Sequence, residues 1–135
     1  MVETHGRIRV LIAEDDEGVR EILASVVRAE PQFELAGSVA DAEQAIHVAG
    51  EQQPDVALVD VRMPGGGPSA ARGIKHRSPR TSVLAFSAHD DARTIQEMYD
   101  AGADGYIVKG ANVTAIVASI QHAGAGSAAP LRRAA

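Results

Sequence analysis

DVALVDVRMPGGGPSA, residues 55–70, is the stretch from which the rest of the chain can be read. Residues 55–60 are nearly all apolar until the run closes on Asp60, as expected of a strand covered on both faces. Pro64, Gly65–Gly67 and Pro68 make a turn, and a weak helical pattern follows over 69–77. The unit is therefore a buried strand with an acid at its carboxyl end, then a turn, then a helix. The same residues pose a choice of chemistry. Gly65, Gly67 and Ala70 satisfy G-x-G-x-x-A, which can cradle a pyrophosphate, whereas a bare Asp60 carboxylate would repel one.

Outward from this unit the alternation repeats. Strands are predicted at 8–13 (IRVLIA), 33–37 (FELAG), 82–87 (SVLAFS) and 104–109 (DGYIVK). Between them run helical stripes: Val19, Ile22, Leu23, Val26 and Val27, then Ala42, Ala45, Ile46 and Ala49, closed before Pro54. A fourth helix at about 91–101 carries Ile95, Met98 and Tyr99 and stops at Gly102, while Val113, Ile116, Val117 and Ile120 mark a fifth. Strands alternating with helices imply an α/β fold, a doubly wound parallel sheet. At this size the flavodoxin-like (βα)5 order 2-1-3-4-5 is expected, with ligands bound at the carboxyl ends of the strands. Residues 1–7 read as an N-terminal extension, 8–123 as the domain, and 124–135 as a flexible tail or the start of a linker.

Composition narrows the function classes. A chain of 135 residues with 45% hydrophobic content is one domain with its own core. The absence of cysteine removes disulfides and thiolate metal sites and fits a reducing, cytoplasmic setting. The opening MVETHGRIRV lacks a long apolar run, so neither a signal peptide nor a membrane span is expected. A net charge of −5 argues against direct nucleic-acid binding by this domain. Five histidines (His5, His47, His76, His89, His122) show no metal-ligand spacing.

The strand ends carry the chemistry. The first strand runs into Glu14-Asp15-Asp16, the third ends in Asp60, the fourth in Ser87 and the fifth in Lys109. In the expected topology these groups crowd one rim. Carboxylates from two adjacent strands repel unless a cation sits among them, and hard oxygen donors favour Mg²⁺ over zinc. Adding a hydroxyl and an ammonium makes the set suitable for a phosphoryl group carried by a carboxylate, with Ser87 and Lys109 contacting its oxygens. Taken singly each residue also has a plainer reading. Glu14, Asp15 and Asp16 could cap a helix, Asp60 could be a turn residue, Ser87 a helix-entry hydroxyl and Lys109 a solvated charge.

Four stretches together, LIAEDDEGVR (11–20), DVALVDVRMPGG (55–66), AFSAHDD (85–91) and AGADGYIVKG (101–110), resemble the receiver domain of two-component response regulators. The resemblance covers about residues 7–123 and is nearest to receivers that often precede helix-turn-helix output domains. It implies that Asp60 is the phosphoacceptor and that Asp15 and Asp60 bind Mg²⁺ directly. By the same resemblance Glu14 acts through metal-bound water and the backbone carbonyl of Arg62 completes the ligands. Ser87 and Lys109 then contact the phosphoryl group, with Ser87 and Tyr106 as the switch pair. Such a domain takes a phosphoryl group from a histidine kinase or phosphotransfer protein and changes the surface of helix 4, strand 5 and helix 5. That surface controls an output domain or a partner, with homodimerisation on phosphorylation a further expectation. The domain is then no enzyme toward other molecules, catalysing only its own phosphorylation and dephosphorylation. Any DNA binding would belong to an output domain outside this one.

Two positions depart from the commonest family pattern. Gly110 stands where a proline often follows the lysine, so no cis bond is required there. Glu14 replaces an aspartate, and its longer arm suits contact through water. Arg62 and His89 lie two residues after Asp60 and Ser87, offsets that mark them as candidates for tuning the lifetime of the phosphorylated state. The choice between glycines and aspartate resolves toward the aspartate. A dinucleotide fingerprint belongs in the first βα turn, which here reads EDDE, and no Lys-Ser/Thr pair ends the loop as in a P-loop. Gly65–Gly67 then read as a small flexible loop that keeps Asp60 reachable. A flavin- or nucleotide-binding oxidoreductase and an aspartyl phosphatase are the competing functions. The phosphatase usually needs a second aspartate two residues after the nucleophile, where this chain has Arg62.

Overall fold

The computed structural model describes residues 6–88 and 92–128. Its elements alternate without exception: β1 (Ile8–Ala13), α1 (Glu17–Ala29), β2 (Phe33–Val39), α2 (Ala42–Gln52), β3 (Val56–Asp60), α3 (Gly67–Arg77), β4 (Ser82–Ser87), α4 (Ala92–Asp100), β5 (Gly105–Val108) and α5 (Val113–Ala128). The strands form one parallel sheet in the order β2-β1-β3-β4-β5, the expected flavodoxin-like arrangement.

Side-chain alternation along each strand divides the core in two. Val10, Ile12, Val56, Leu58, Leu84, Phe86 and Ile107 pack with the buried faces of α1 and α5. Leu11, Ala13, Ala57, Val59, Val83 and Ala85 pack with α2, α3 and Met98 of α4. The second face is rich in alanine, including Ala42, Ala45, Ala49, Ala70 and Ala71, so helices lie close to the sheet with little side chain between. β1 and β3 are neighbours, and the chain leaves them toward opposite faces. Their carboxyl ends therefore frame the crevice where such sheets bind ligands.

Several local readings shift. Leu23, Val26 and Val27 are buried in α1 as periodicity expects, but Ile22 is 63% exposed and Ala24 joins the buried face in its place. Val113 and Tyr99 are likewise exposed, because Val113 opens α5 and only Met98 of α4 reaches the core. α3 starts two residues earlier than position 69, since Pro68 in its first turn has a backbone angle suited to a helix start. Gly102 does end α4: its amide bonds Tyr99 O at 3.0 Å, the Ala103 amide bonds Met98 O at 2.9 Å, and Gly102 takes φ +112°. α5 runs to Ala128, past position 123 where the sequence reading closes the domain. Gly124 is buried there, and a Cβ on it would lie 2.6 Å from Ile8 Cγ2, so glycine lets the helix dock on β1. The remaining tail lies outside the described residues.

The glycine loop is held, not loose. The Ala42 amide donates to Pro64 O at 3.0 Å, the Gly66 amide to Met63 O at 2.8 Å and the Gly67 amide to Val61 O at 3.3 Å. A Cβ on Gly67 would lie 2.6 Å from Val61 Cα and 2.8 Å from Asp60 O. The glycine lets the start of α3 close onto the end of β3, directly behind Asp60. No described helix is long and apolar enough to cross a membrane.

Candidate functional site

Four of the five parallel strands deliver a side chain at or just past their carboxyl ends to the same edge. Glu14 follows β1, Asp60 and Ser87 end β3 and β4, and Lys109 follows β5. They line a cleft of about 310 Å³ together with Asp15, Asp16, Arg62, Ala88 and Thr94. Glu14, Asp60 and Ser87 are 1%, 3% and 3% exposed, whereas Asp15 and Arg62 are exposed.

Lys109 spans the cleft. Its Nζ lies 3.1 Å from Glu14 Oε1 and 3.3 Å from Asp60 Oδ1, with its ammonium 5.5 Å from the centre of the Phe86 ring. The Lys109 amide donates to Ser87 O at 2.6 Å, which fixes the lysine's backbone to the end of β4. The Arg62 amide donates to Asp60 Oδ1 at 3.1 Å, and the Asp16 amide to Glu14 Oε2 at 3.0 Å. Glu14 Oε1 is buried and makes the ion contact with Lys109 but no hydrogen bond.

The charges perturb one another. Burial, opposed by the Asp16 amide and the Lys109 ammonium and reinforced by Asp60, raises the Glu14 pKa from 4.5 to about 7. Burial alone would lower Lys109, but Glu14 and Asp60 more than offset it and hold its pKa above 10.5. Two buried carboxylates thus share one ammonium, an arrangement short of positive charge.

Glu14, Asp15 and Asp60 each bring a carboxylate oxygen within 4.8 Å of the others. Hard oxygen donors, a buried oxygen lacking a hydrogen bond and a deficit of positive charge fit a divalent cation of the Mg²⁺ class. The residues expected at the rim therefore converge, with Tyr106 apart: it points outward from β5, 42% exposed. His89 lies outside the described residues. Sequence reading does not single out Ala88 and Thr94; Ala88 directly follows β4, the signal that would find it, whereas Thr94 lies in the first turn of α4. Also unforeseen is Arg20, whose Nη1 donates to Glu14 O at 2.8 Å.

Comparison with known proteins bears on this geometry. The family model for the response regulator receiver domain matches residues 10–121. The transcriptional regulatory protein DegU of Brevibacillus brevis is 31% identical over 90% of this chain and 52% of its own length. The transcriptional regulatory protein PdtaR of Mycobacterium tuberculosis is 36% identical over 84% of this chain and 55% of its own. The chain thus spans about half the length of these relatives. Among solved structures, the signal receiver domain of the putative response regulator NarL of M. tuberculosis superposes with a TM-score of 0.84 at 30% identity, covering 89% of this chain and 98% of that one.

Proposed function

The chain belongs to the response regulator receiver domain family, and from that premise we propose that it is a phosphorylation switch in which Asp60 is the phosphoacceptor. The observation that carries this reading is Asp60 itself, buried at the end of β3 in an acidic cleft with Lys109 Nζ 3.3 Å away. An Asp60 oxygen attacks the phosphorus of a phosphohistidine or a small acyl phosphate, and the bond from phosphorus to the donor breaks. Lys109 neutralises charge on the transferred group, and Ser87 donates to one of its oxygens. Glu14, Asp15 and Asp60, with the Arg62 carbonyl, would hold Mg²⁺, which when bound supplies further positive charge to the phosphoryl oxygens.

With Mg²⁺ and acetyl phosphate, the protein should gain one acid-stable, base-labile phosphoryl group, and peptide mapping should locate it at Asp60. A label at any other residue would overturn the assignment. The donor in the cell is a histidine kinase or phosphotransfer protein in the cytoplasm. The half-length match to proteins named transcriptional regulators supports an output segment beyond this domain that acts on transcription. Homodimerisation on phosphorylation belongs to the same reading.

The switch would run from Ser87 to Tyr106. Drawing Ser87 toward the phosphoryl group frees space beside β5, and the exposed Tyr106 ring can rotate into it. Beryllofluoride with Mg²⁺ should therefore move the amide resonances of residues 104–109, and Ser87→Ala should blunt the response while Asp60 still labels. Stationary β5 resonances would make Tyr106 a bystander. Arg62, exposed at the cleft mouth, would tune the lifetime of the acyl phosphate, together with His89. Replacing both with alanine should change the dephosphorylation half-life severalfold without altering the fold; an unchanged half-life assigns them to the solvated surface.

A further inference from the structure

Among the described residues nothing bonds the Asp15 carboxylate, although the flanking residues are pinned by their side chains. Glu14 accepts from the Asp16 amide at 3.0 Å, and Asp16 caps α1 by accepting from the Val19 amide at 3.0 Å. Asp15 stands exposed between them, so its direction is set by its own backbone. Arg20 controls that backbone. Its Nη1 donates to Glu14 O at 2.8 Å and reaches Asp15 O at 3.5 Å, while its amide donates to Asp16 O at 2.9 Å. The first two carbonyls belong to the peptide planes on either side of the Asp15 Cα. Tethering both restricts φ and ψ of Asp15, and with them the direction of its Cβ.

We propose that Arg20 is a positioning residue for the divalent cation, holding the β1–α1 turn so that the Asp15 carboxylate meets those of Glu14 and Asp60. This rests on the reading of those three carboxylates as the Mg²⁺ site. A ligand on an exposed turn loses affinity when its support is removed, because ordering the turn must then be met from binding. Arginine suits this position because its guanidinium stays charged, offers several planar donors and reaches farther than a lysine ammonium. Its half-buried charge also sits beneath the most acidic turn of the chain.

The test is Mg²⁺ titration of the whole chain, followed by amide resonances, for wild type, Arg20→Ala and Arg20→Lys. Melting temperatures with and without Mg²⁺ accompany it. Both variants should bind Mg²⁺ about tenfold more weakly, and the rise in melting temperature on adding Mg²⁺ should shrink with them. A purely structural role would lower the metal-free melting temperature and leave affinity within twofold of wild type, which overturns the proposal. Wild-type affinity in Arg20→Lys alone also overturns it, since charge rather than the two-carbonyl tether would then be what matters. If Arg20→Ala does not fold, Arg20→Lys decides the matter by the same affinity comparison. Absence of Mg²⁺ binding by the wild type would instead sink the metal-site reading beneath it.

Discussion

Asp60→Asn should take up no phosphoryl group from acetyl phosphate under conditions in which the wild-type protein gains one, and it should be the more stable protein while failing to do so. The first expectation follows from chemistry, since a carboxamide is a poor nucleophile and cannot form a stable acyl phosphate. The second follows from the charges. Asp60 is 3% exposed beside a Glu14 that is 1% exposed, and Asp60 contributes to raising the Glu14 pKa to about 7. Asparagine keeps the shape and an acceptor for the Arg62 amide at 3.1 Å, but removes one of two like charges, so Lys109 can serve Glu14 alone. Urea unfolding near neutral pH without Mg²⁺ should show the gain. A folded, more stable protein that does not label separates loss of the phosphoacceptor from loss of the fold. Undiminished labelling of Asp60→Asn would move the phosphoryl group to another carboxylate and end the proposed role of Asp60.

The sheet and its rim are legible in the sequence for one reason. A strand buried on both faces must be apolar along its middle, so the runs 8–13 and 82–87, polar only at Arg9 and the two terminal serines, match β1 and β4 residue for residue. Where such runs stop, a lone acid, hydroxyl or ammonium stands out. Edges and close approaches are less legible. Periodicity finds a helix stripe but not its width, and so it counts Ile22 into the buried face of α1 and passes over Ala24. The glycine loop misleads in the other direction. Gly65 and Gly67 suggest freedom, but a Cβ on Gly65 would lie 2.7 Å from that of Ala42, and one on Gly67 would strike the β3 backbone. Those partners are distant in sequence or appear only once the loop is folded, so no local pattern announces them. Arg20 escapes for the same reason, its role depending on carbonyls that a sequence does not display.

Removal of the bridging ammonium should cost more than any other single change at the cleft. Lys109→Met keeps an apolar stem over Phe86 but leaves Glu14 and Asp60 buried with no protein cation between them. Breaking a buried pair from one side costs about 3–5 kcal/mol, and a loss of about 3 kcal/mol is expected at about pH 8 without Mg²⁺. The sign of its pH dependence is fixed. Glu14 titrates near 7 in the folded protein against an ordinary 4.5, and loss of the Lys109 contact, which lowers it, pushes it higher. Between those values the folded state holds a proton that the unfolded state does not, so stability rises as pH falls toward 4.5 and declines as pH rises through the folded pKa. Lys109 itself, with its pKa above 10.5, contributes an unchanging charge over this window in the wild type. The deficit of Lys109→Met should therefore be largest at about pH 8 and smaller at about pH 5.5, where Glu14 is protonated and only the Asp60 contact is lost. Mg²⁺ should shrink it at the higher pH, because a divalent cation among Glu14, Asp15 and Asp60 restores the missing charge. Urea unfolding at both pH values, with Mg²⁺ and with a chelator, measures all four cases. A deficit equal at both pH values and indifferent to Mg²⁺ would mean that Lys109 serves by packing on Phe86, and that the carboxylates of this cleft are not coupled through it.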